Sequence, residues 1–119
     1  MIEKISLLPY VFIGGGLGAS LRWFLNLLSG SLSLPLWQAT LVANGLGMFI
    51  YFLSVKLMWN DPQWNSAFLR IGLLGSLTTF STWSFEIVTH IQSGQWGRAA
   101  LIFILNILAG VLIAVGIFR

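Results

Sequence analysis

Four apolar segments occupy almost all of this chain, and each has about the length that a helix needs to cross a bilayer. They cover residues of about 5–28, 36–55, 68–91 and 99–118. A membrane-spanning helix needs roughly 20 mostly apolar residues, and the connections between these segments are short. The sequence therefore predicts an all-α membrane protein of four transmembrane helices, in which residues 1–119 form a single domain.

The composition excludes several classes of protein. Only 8% of the residues are charged and 57% are hydrophobic, whereas a soluble domain carries about 25% charged residues. The six Lys and Arg residues are scattered singly, so no basic patch for a nucleic acid is expected. Cysteine is absent and His90 is the single histidine, so neither a metal cluster nor a nucleophile–base pair is expected, and the protein is not predicted to be an enzyme.

Tryptophan and basic residues indicate how the segments lie in the membrane. Most tryptophans fall near predicted segment ends, as in the aromatic belts of membrane proteins, whereas Trp83 falls in the middle of a segment. With both termini in the cytoplasm, four basic residues lie inside and Arg98 lies outside, a weak bias towards that orientation. The belt tryptophans are Trp23, Trp37, Trp59, Trp64 and Trp96, and the four inner basic residues are Lys4, Lys56, Arg70 and Arg119.

The third segment contains a polar stretch that does not suit an ordinary membrane helix. Between residues 78 and 84 its hydroxyl side chains point in nearly every direction around a helix, and Gly72 and Gly75 precede them. These features predict a break in the helix, and a broken helix is tolerated where its freed backbone groups are buried or line a cavity. The freed carbonyls of such a break can hold a cation. The hydroxyl residues are Thr78, Thr79, Ser81, Thr82 and Ser84.

Two aromatic residues and an acid complete this stretch. Phe80 and Trp83 are three residues apart, so their rings are expected to lie close together. The edge of an aromatic ring is electropositive and suits a small, partly dehydrated anion, although simple packing is the ordinary role of such rings. Glu86 is an intramembrane acid, either a proton carrier of a transporter or a hydrogen-bonded structural acid.

Polar residues also follow one face of the second segment and recur in the fourth. Five residues of the second segment repeat at spacings of four and three, which forms one stripe along a helix. This stripe, together with Asn106 of the fourth segment, suits either a pore wall or hydrogen bonds between helices. The stripe consists of Thr40, Asn44, Gly47, Tyr51 and Ser54.

The first segment combines small residues with one basic residue. Gly14 and Gly18 are four residues apart, a pattern that allows two helix backbones to approach closely, and we interpret this face as a packing surface. Arg22 lies inside the end of the segment. It either extends to the lipid headgroups or lines an aqueous vestibule that attracts anions.

Three of these stretches resemble the motifs of the Fluc/CrcB family of fluoride channels. The resemblance rests on residues 15–22 (GGLGASLR), 40–47 (TLVANGLG) and 75–82 (GSLTTFST), and it covers the whole chain. It implies an antiparallel, dual-topology dimer with two fluoride pores in a bacterial inner membrane. It also implies a sodium ion at the dimer centre, held by backbone carbonyls that match Gly75 and Thr78.

The resemblance further implies passive, selective fluoride efflux that protects the cell, along a track of polar side chains and aromatic edges. Arg22 would attract anions at the vestibule, and Glu86 would be a structural acid. The expected pore residues are Thr40, Asn44, Thr79, Phe80, Ser81, Thr82, Trp83 and Asn106.

The chain departs from the family pattern at several places. Trp83 stands where the family has phenylalanine, and Met48 replaces a small residue. The fourth-segment positions of a family tyrosine and serine hold Ile102 (or its neighbour Phe103) and Asn106. A self-paired dimer is the first hypothesis, and one subunit of a heterodimeric channel with a degenerate pore is an alternative.

Two further alternatives belong to other classes of membrane protein. A small proton-coupled multidrug antiporter also has four spans, but that class depends on a glutamate in the middle of its first helix, which this chain lacks. A non-conducting membrane scaffold would use the polar stripes for packing alone.

Overall fold

The computed structural model describes the backbone of residues 2–58 and 60–119, and side chains from Lys4 onward within those ranges. Trp59, one of the expected belt tryptophans, lies outside the described residues. The elements, in chain order, are α1 (Ile2–Ile5), α2 (Leu8–Ser31), α3 (Leu36–Leu57), α4 (Gln63–Ser66), a π-helix π1 (Ala67–Leu74), α5 (Gly75–Leu77), α6 (Phe80–Gln92) and α7 (Trp96–Phe118).

The described residues form helices and no strand, so the predicted all-helical fold class is confirmed. Three helices, α2, α3 and α7, are each long and apolar enough to cross a membrane, with 24, 22 and 23 residues. The third predicted segment is instead divided among π1, α5 and α6, so no single element within it has the length of a span. The boundary between α5 and α6 is the predicted break, and the boundary between π1 and α5 is a change of helical hydrogen bonding.

The break lies at Thr78 and Thr79, between the end of α5 and the start of α6. Both residues have extended backbones, with ψ of 151° at Thr78 and φ and ψ of −146° and 122° at Thr79. The Thr79 hydroxyl accepts a hydrogen bond from the Thr82 N–H at 3.1 Å and so caps α6. On the other side, the Thr78 hydroxyl donates to the Leu74 carbonyl at 2.9 Å. The Thr79 hydroxyl thus replaces a backbone acceptor at the start of α6, whereas the Thr78 hydroxyl adds a second bond to a carbonyl that already accepts from the Thr78 N–H at 3.1 Å.

Helix α2 packs against π1 through glycines. A Cβ atom added to Gly14 would collide with the Phe68 carbonyl oxygen, and one added to Gly18 would collide with that of Leu73. From the other side, a Cβ on Gly72 would lie 2.8 Å from the Val11 carbonyl oxygen. The interpretation of the first-segment glycines as a packing face is therefore confirmed.

The π-helix was not predicted from the sequence, and it changes which residues share a face. At its end the Gly75 N–H donates to the Arg70 carbonyl, a bond across five residues rather than the four of an α-helix. Arg70 and Gly75 therefore lie about one helical turn apart. In an α-helix, side chains five residues apart would point away from each other.

Candidate functional site: the grooves at the helix break

The Asn44 side chain holds the break from α3. Its Oδ1 accepts from the Thr79 N–H at 2.8 Å, and its Nδ2 donates to the Thr79 carbonyl at 3.2 Å. The same Nδ2 donates to Asn106 Oδ1 at 2.9 Å. Asn44 is buried, and its Oδ1 supplies the acceptor that the Thr79 N–H would find at the Gly75 carbonyl in a continuous helix. Both amide hydrogens of Asn44 are thereby engaged within the chain.

Asn106 connects α7 to this arrangement. It accepts from Asn44 through Oδ1, and its own Nδ2 donates to the Ile102 carbonyl one turn earlier at 3.1 Å. Of the two roles left open by the sequence, the interhelical hydrogen bond is present. Asn106 also lines the groove described below, so this bond lies at the groove wall.

Trp83 is fixed from two directions. Its indole N–H donates to the Ile102 carbonyl at 3.2 Å, and its ring stacks on Phe103 with centroids 5.5 Å apart. The Phe80 ring lies 5.2 Å from the Trp83 ring, as the spacing of three residues predicts. Trp83 is only 7% exposed, whereas Phe80 is 75% exposed. The indole N–H is therefore occupied by a hydrogen bond between α6 and α7, whereas the Phe80 ring faces outward.

The break opens onto a groove of about 290 Å³, which we call the break groove. It brings together six of the residues in the sequence-based site and adds Met48 and Ile107. Its lining is Asn44, Met48, Thr78, Thr79, Phe80, Trp83, Asn106 and Ile107.

A second groove of about 160 Å³, the Arg70 groove, shares Met48 and Thr78 with the break groove. Its other lining residues are Gly47, Tyr51, Phe52, Arg70, Leu74 and Gly75. Arg70 was not predicted as a site residue, because its place beside Gly75 depends on the π-helical register.

Gly75 and Thr78, the residues implied to hold sodium, both line the Arg70 groove. In a continuous helix their carbonyls would accept from the N–H groups of Thr79 and Thr82. Those N–H groups donate instead to Asn44 Oδ1 and to the Thr79 hydroxyl. Both carbonyls are thus released from their usual helical donors, and carbonyl oxygens freed in this way suit a sodium ion.

Thr40, near the start of α3, contacts Glu86 of α6. The Thr40 hydroxyl donates to Glu86 Oε1 at 2.6 Å, and both residues are buried. Glu86 Oε2 is buried without a hydrogen-bond partner among the described residues. Glu86 lines a third groove of about 260 Å³, together with Thr82 and His90.

The hydroxyls after the break form one cluster at the start of α6. The Thr79 hydroxyl lies 3.3 Å from that of Ser81 and 3.1 Å from that of Thr82. Ser81 is exposed and Thr82 partly buried, so the cluster leads from the break towards the surface. Arg22, expected at a vestibule, is partly buried on α2 and lines none of the three grooves.

Comparison with known proteins agrees with the resemblance. The family model described as "CrcB-like protein, Camphor Resistance (CrcB)" matches residues 9–117. A protein of Burkholderia vietnamiensis named "Fluoride-specific ion channel FluC" is 38% identical over 101 residues, which cover 82% of this chain and 78% of the relative. Proteins of the same name from Salmonella arizonae and Salmonella newport are each 39% identical over 108 residues, covering 87% of this chain and 84% of the relative.

The family model spans nearly the whole chain, and the relatives match most of its length. The helix break lies at the motif on which the resemblance to this family rests. The chain belongs to the CrcB family.

Proposed function

We propose that this protein is a passive channel that selectively carries fluoride out of the bacterial cytoplasm across the inner membrane. The observation that carries the proposal is the break groove, where one end of a broken helix, an asparagine amide and an aromatic ring converge within an apolar segment. The fluoride-channel names of relatives at 38% and 39% identity support the same function.

Conduction through the break groove requires groups that replace the water bound to fluoride. Within the groove Thr79 supplies a hydroxyl and Phe80 an aromatic edge, and the hydroxyls of Ser81 and Thr82 extend the polar track beyond it. Two of the three bonds made by the Asn44 amide hold the backbone of Thr79 at the break. Fluoride can displace the third bond, which joins Asn44 to Asn106, without opening the break. We therefore propose that fluoride exchanges with Asn106 at the Asn44 amide.

A second copy of the chain completes the pore in this proposal. The break groove is open at the surface, and the membrane helices expose apolar side chains over most of their length. An antiparallel homodimer would cover these faces and close two pores. The freed carbonyls of Gly75 and Thr78 from both copies would then hold a structural sodium ion at the dimer centre.

One observation favours a variant of this function, in which the chain is one subunit of a heterodimeric channel. Trp83, larger than the family phenylalanine, is pinned to the Ile102 carbonyl at the wall of the break groove. A ring held there narrows the path that it lines. Expression of the chain alone tests this variant, since a stable, conducting homodimer would contradict it.

The antiporter and scaffold alternatives have less support. An antiporter would have to use Glu86, whose Oε1 is bound by Thr40, and would leave the break without a role. A scaffold would not require the grooves. The relatives named as fluoride channels favour the channel over both.

Growth of bacteria in fluoride tests export directly. A strain that lacks fluoride export should grow at higher fluoride concentrations when it produces this chain. The strain that produces the Asn44→Asp variant at an equal level in the membrane should be as sensitive to fluoride as the strain without the chain. Equal growth with and without the wild-type chain would contradict export by this chain alone.

A further inference from the structure

The π-helix brings a positive charge to the break. Arg70 lies in π1, and the bond from Gly75 N–H to the Arg70 carbonyl places the two residues about one turn apart. As a result, Arg70 lines the same groove as Gly75, Thr78 and Tyr51. That groove lies next to the break groove, because Met48 and Thr78 line both.

Among the described residues, no carboxylate forms an ion pair with Arg70. Its Nε donates to the Ser66 hydroxyl at 3.1 Å, a bond that orients the guanidinium without cancelling its charge. No carboxylate lines the Arg70 groove within the described part of the chain. Among the described acidic side chains, Asp61 accepts from Asn65, and Glu86 lines a different groove.

The other basic residues near the membrane surfaces are placed differently. Lys56 is exposed and donates to the Ile117 carbonyl, and Arg98 is exposed and donates to Gln95. Neither lines the break groove or the Arg70 groove, and the same holds for Arg22. Of these basic residues, Arg70 alone stands at a groove that leads to the break.

We propose that Arg70 recruits fluoride to the pore from the side of the membrane on which α3 ends. This inference rests on the proposed function, since it names a further anion-binding residue of the same pore. A fixed charge in a groove with apolar walls acts more strongly on an ion than the same charge in water. Fluoride held near Arg70 and Tyr51 then passes Met48, which lines both grooves, to reach Asn44.

Fluoride binding to the purified protein in lipid nanodiscs tests this role without requiring conduction. Titrations followed by fluorine-19 NMR would compare the wild type with Arg70→Gln, which keeps a hydrogen-bonding side chain, and Arg70→Lys, which keeps the charge. Arg98→Gln is the matched control, because it removes an equal charge outside both grooves. We expect Arg70→Gln to weaken apparent fluoride binding by roughly ten-fold at low ionic strength. Arg70→Lys and Arg98→Gln should stay close to the wild type.

Two results would overturn the proposal. One is equal fluoride binding by the wild type and Arg70→Gln. The other is a loss of binding in Arg70→Lys as large as that in Arg70→Gln, because lysine keeps the positive charge and should keep the binding. If Arg70→Gln does not assemble, the wild type still decides the matter through ionic strength. Recruitment by charge predicts weaker binding as an impermeant salt is added, and binding that is independent of salt would contradict it.

Fluoride efflux from liposomes separates this proposal from the proposed function. Protein that binds fluoride through Arg70 but releases none from liposomes, as wild type and as Trp83→Phe, would end the proposal of a channel formed by this chain alone and leave the Arg70 site standing. Equal efflux through the wild type and Arg70→Gln at low fluoride concentration would leave the channel standing and end the recruiting role of Arg70.

Discussion

The side-chain amide of Asn44 bonds to both backbone polar groups of Thr79, accepting from its N–H at 2.8 Å and donating to its carbonyl at 3.2 Å. A helix break inside an apolar segment leaves backbone groups without partners, and each such group is costly in a bilayer. Asn44 provides the acceptor for the freed Thr79 N–H, while one of its own amide hydrogens reaches Asn106 at the groove wall. The residue that stabilises the break therefore also stands on the expected anion path.

Replacing Asn44 with aspartate should abolish fluoride flux. The carboxylate would face two acceptors, the Thr79 carbonyl and Asn106 Oδ1, and its charge would repel fluoride in a poorly screened groove. Fluoride efflux from liposomes checks this prediction. Asn26→Asp is the matched control, because it adds the same charge on α2 outside the three grooves. Undiminished flux in Asn44→Asp would remove Asn44 from the pore.

Replacing Trp83 with phenylalanine should increase fluoride flux. The smaller ring loses the bond to the Ile102 carbonyl and widens the break groove. The loss of that bond should lower the free energy of unfolding by about 0.5–1.5 kcal/mol. Trp96→Phe, on an exposed side chain at the start of α7, is the control. Flux that falls or stays the same in Trp83→Phe would show that the indole does not restrict the path.

Replacing Thr40 with valine should destabilise the protein by about 1–3 kcal/mol, because both Glu86 carboxyl oxygens would then be buried without a partner. Thermal unfolding in detergent measures the effect. Thr40→Ser keeps the hydroxyl and should stay near the wild type. Thr89→Val removes an exposed hydroxyl that bonds within its own helix and serves as the control. Equal stability of Thr40→Val and wild type would deny the Thr40–Glu86 bond a structural role.

Replacing Gly18 with alanine should prevent normal packing of α2 on π1, since the added Cβ would collide with the Leu73 carbonyl. Overpacking of this kind costs about 1–3 kcal/mol. Gly16→Ala, two residues earlier, meets no atom within 4 Å and should be neutral. The yield of folded protein after detergent extraction, followed by thermal unfolding, compares the two variants. Similar stability in both would contradict the close approach of these helices.

The sequence predicts the break well because its causes are local. The hydroxyls of Thr78 and Thr79 bond to backbone groups three or four residues away. Such competition with helical hydrogen bonds can be expected from two neighbouring threonines in the sequence. It does not predict π1, because a shift from four-residue to five-residue hydrogen bonds leaves no pattern of apolar residues by which to recognise it. Arg70 consequently looked like an ordinary basic residue at a segment end.

The partners of the site residues depend on contacts between distant parts of the chain. The stripe on α3 indicates that Asn44 faces other helices, but not that it binds the Thr79 peptide 35 residues away. Trp83 is held by the carbonyl of Ile102, and every residue but proline offers the same backbone groups. Such a partner is set by how α6 packs on α7 and has no signature in side-chain chemistry.

Fluoride and chloride efflux from liposomes that contain only this purified chain shows whether the chain alone forms a selective fluoride channel. Ion-selective electrodes would follow each ion after the membrane potential is collapsed, with protein-free liposomes as the baseline. The account predicts rapid fluoride release with chloride release at the baseline. Chloride release equal to fluoride release, or fluoride release at the baseline in both the wild type and Trp83→Phe, would contradict a selective fluoride channel formed by this chain alone.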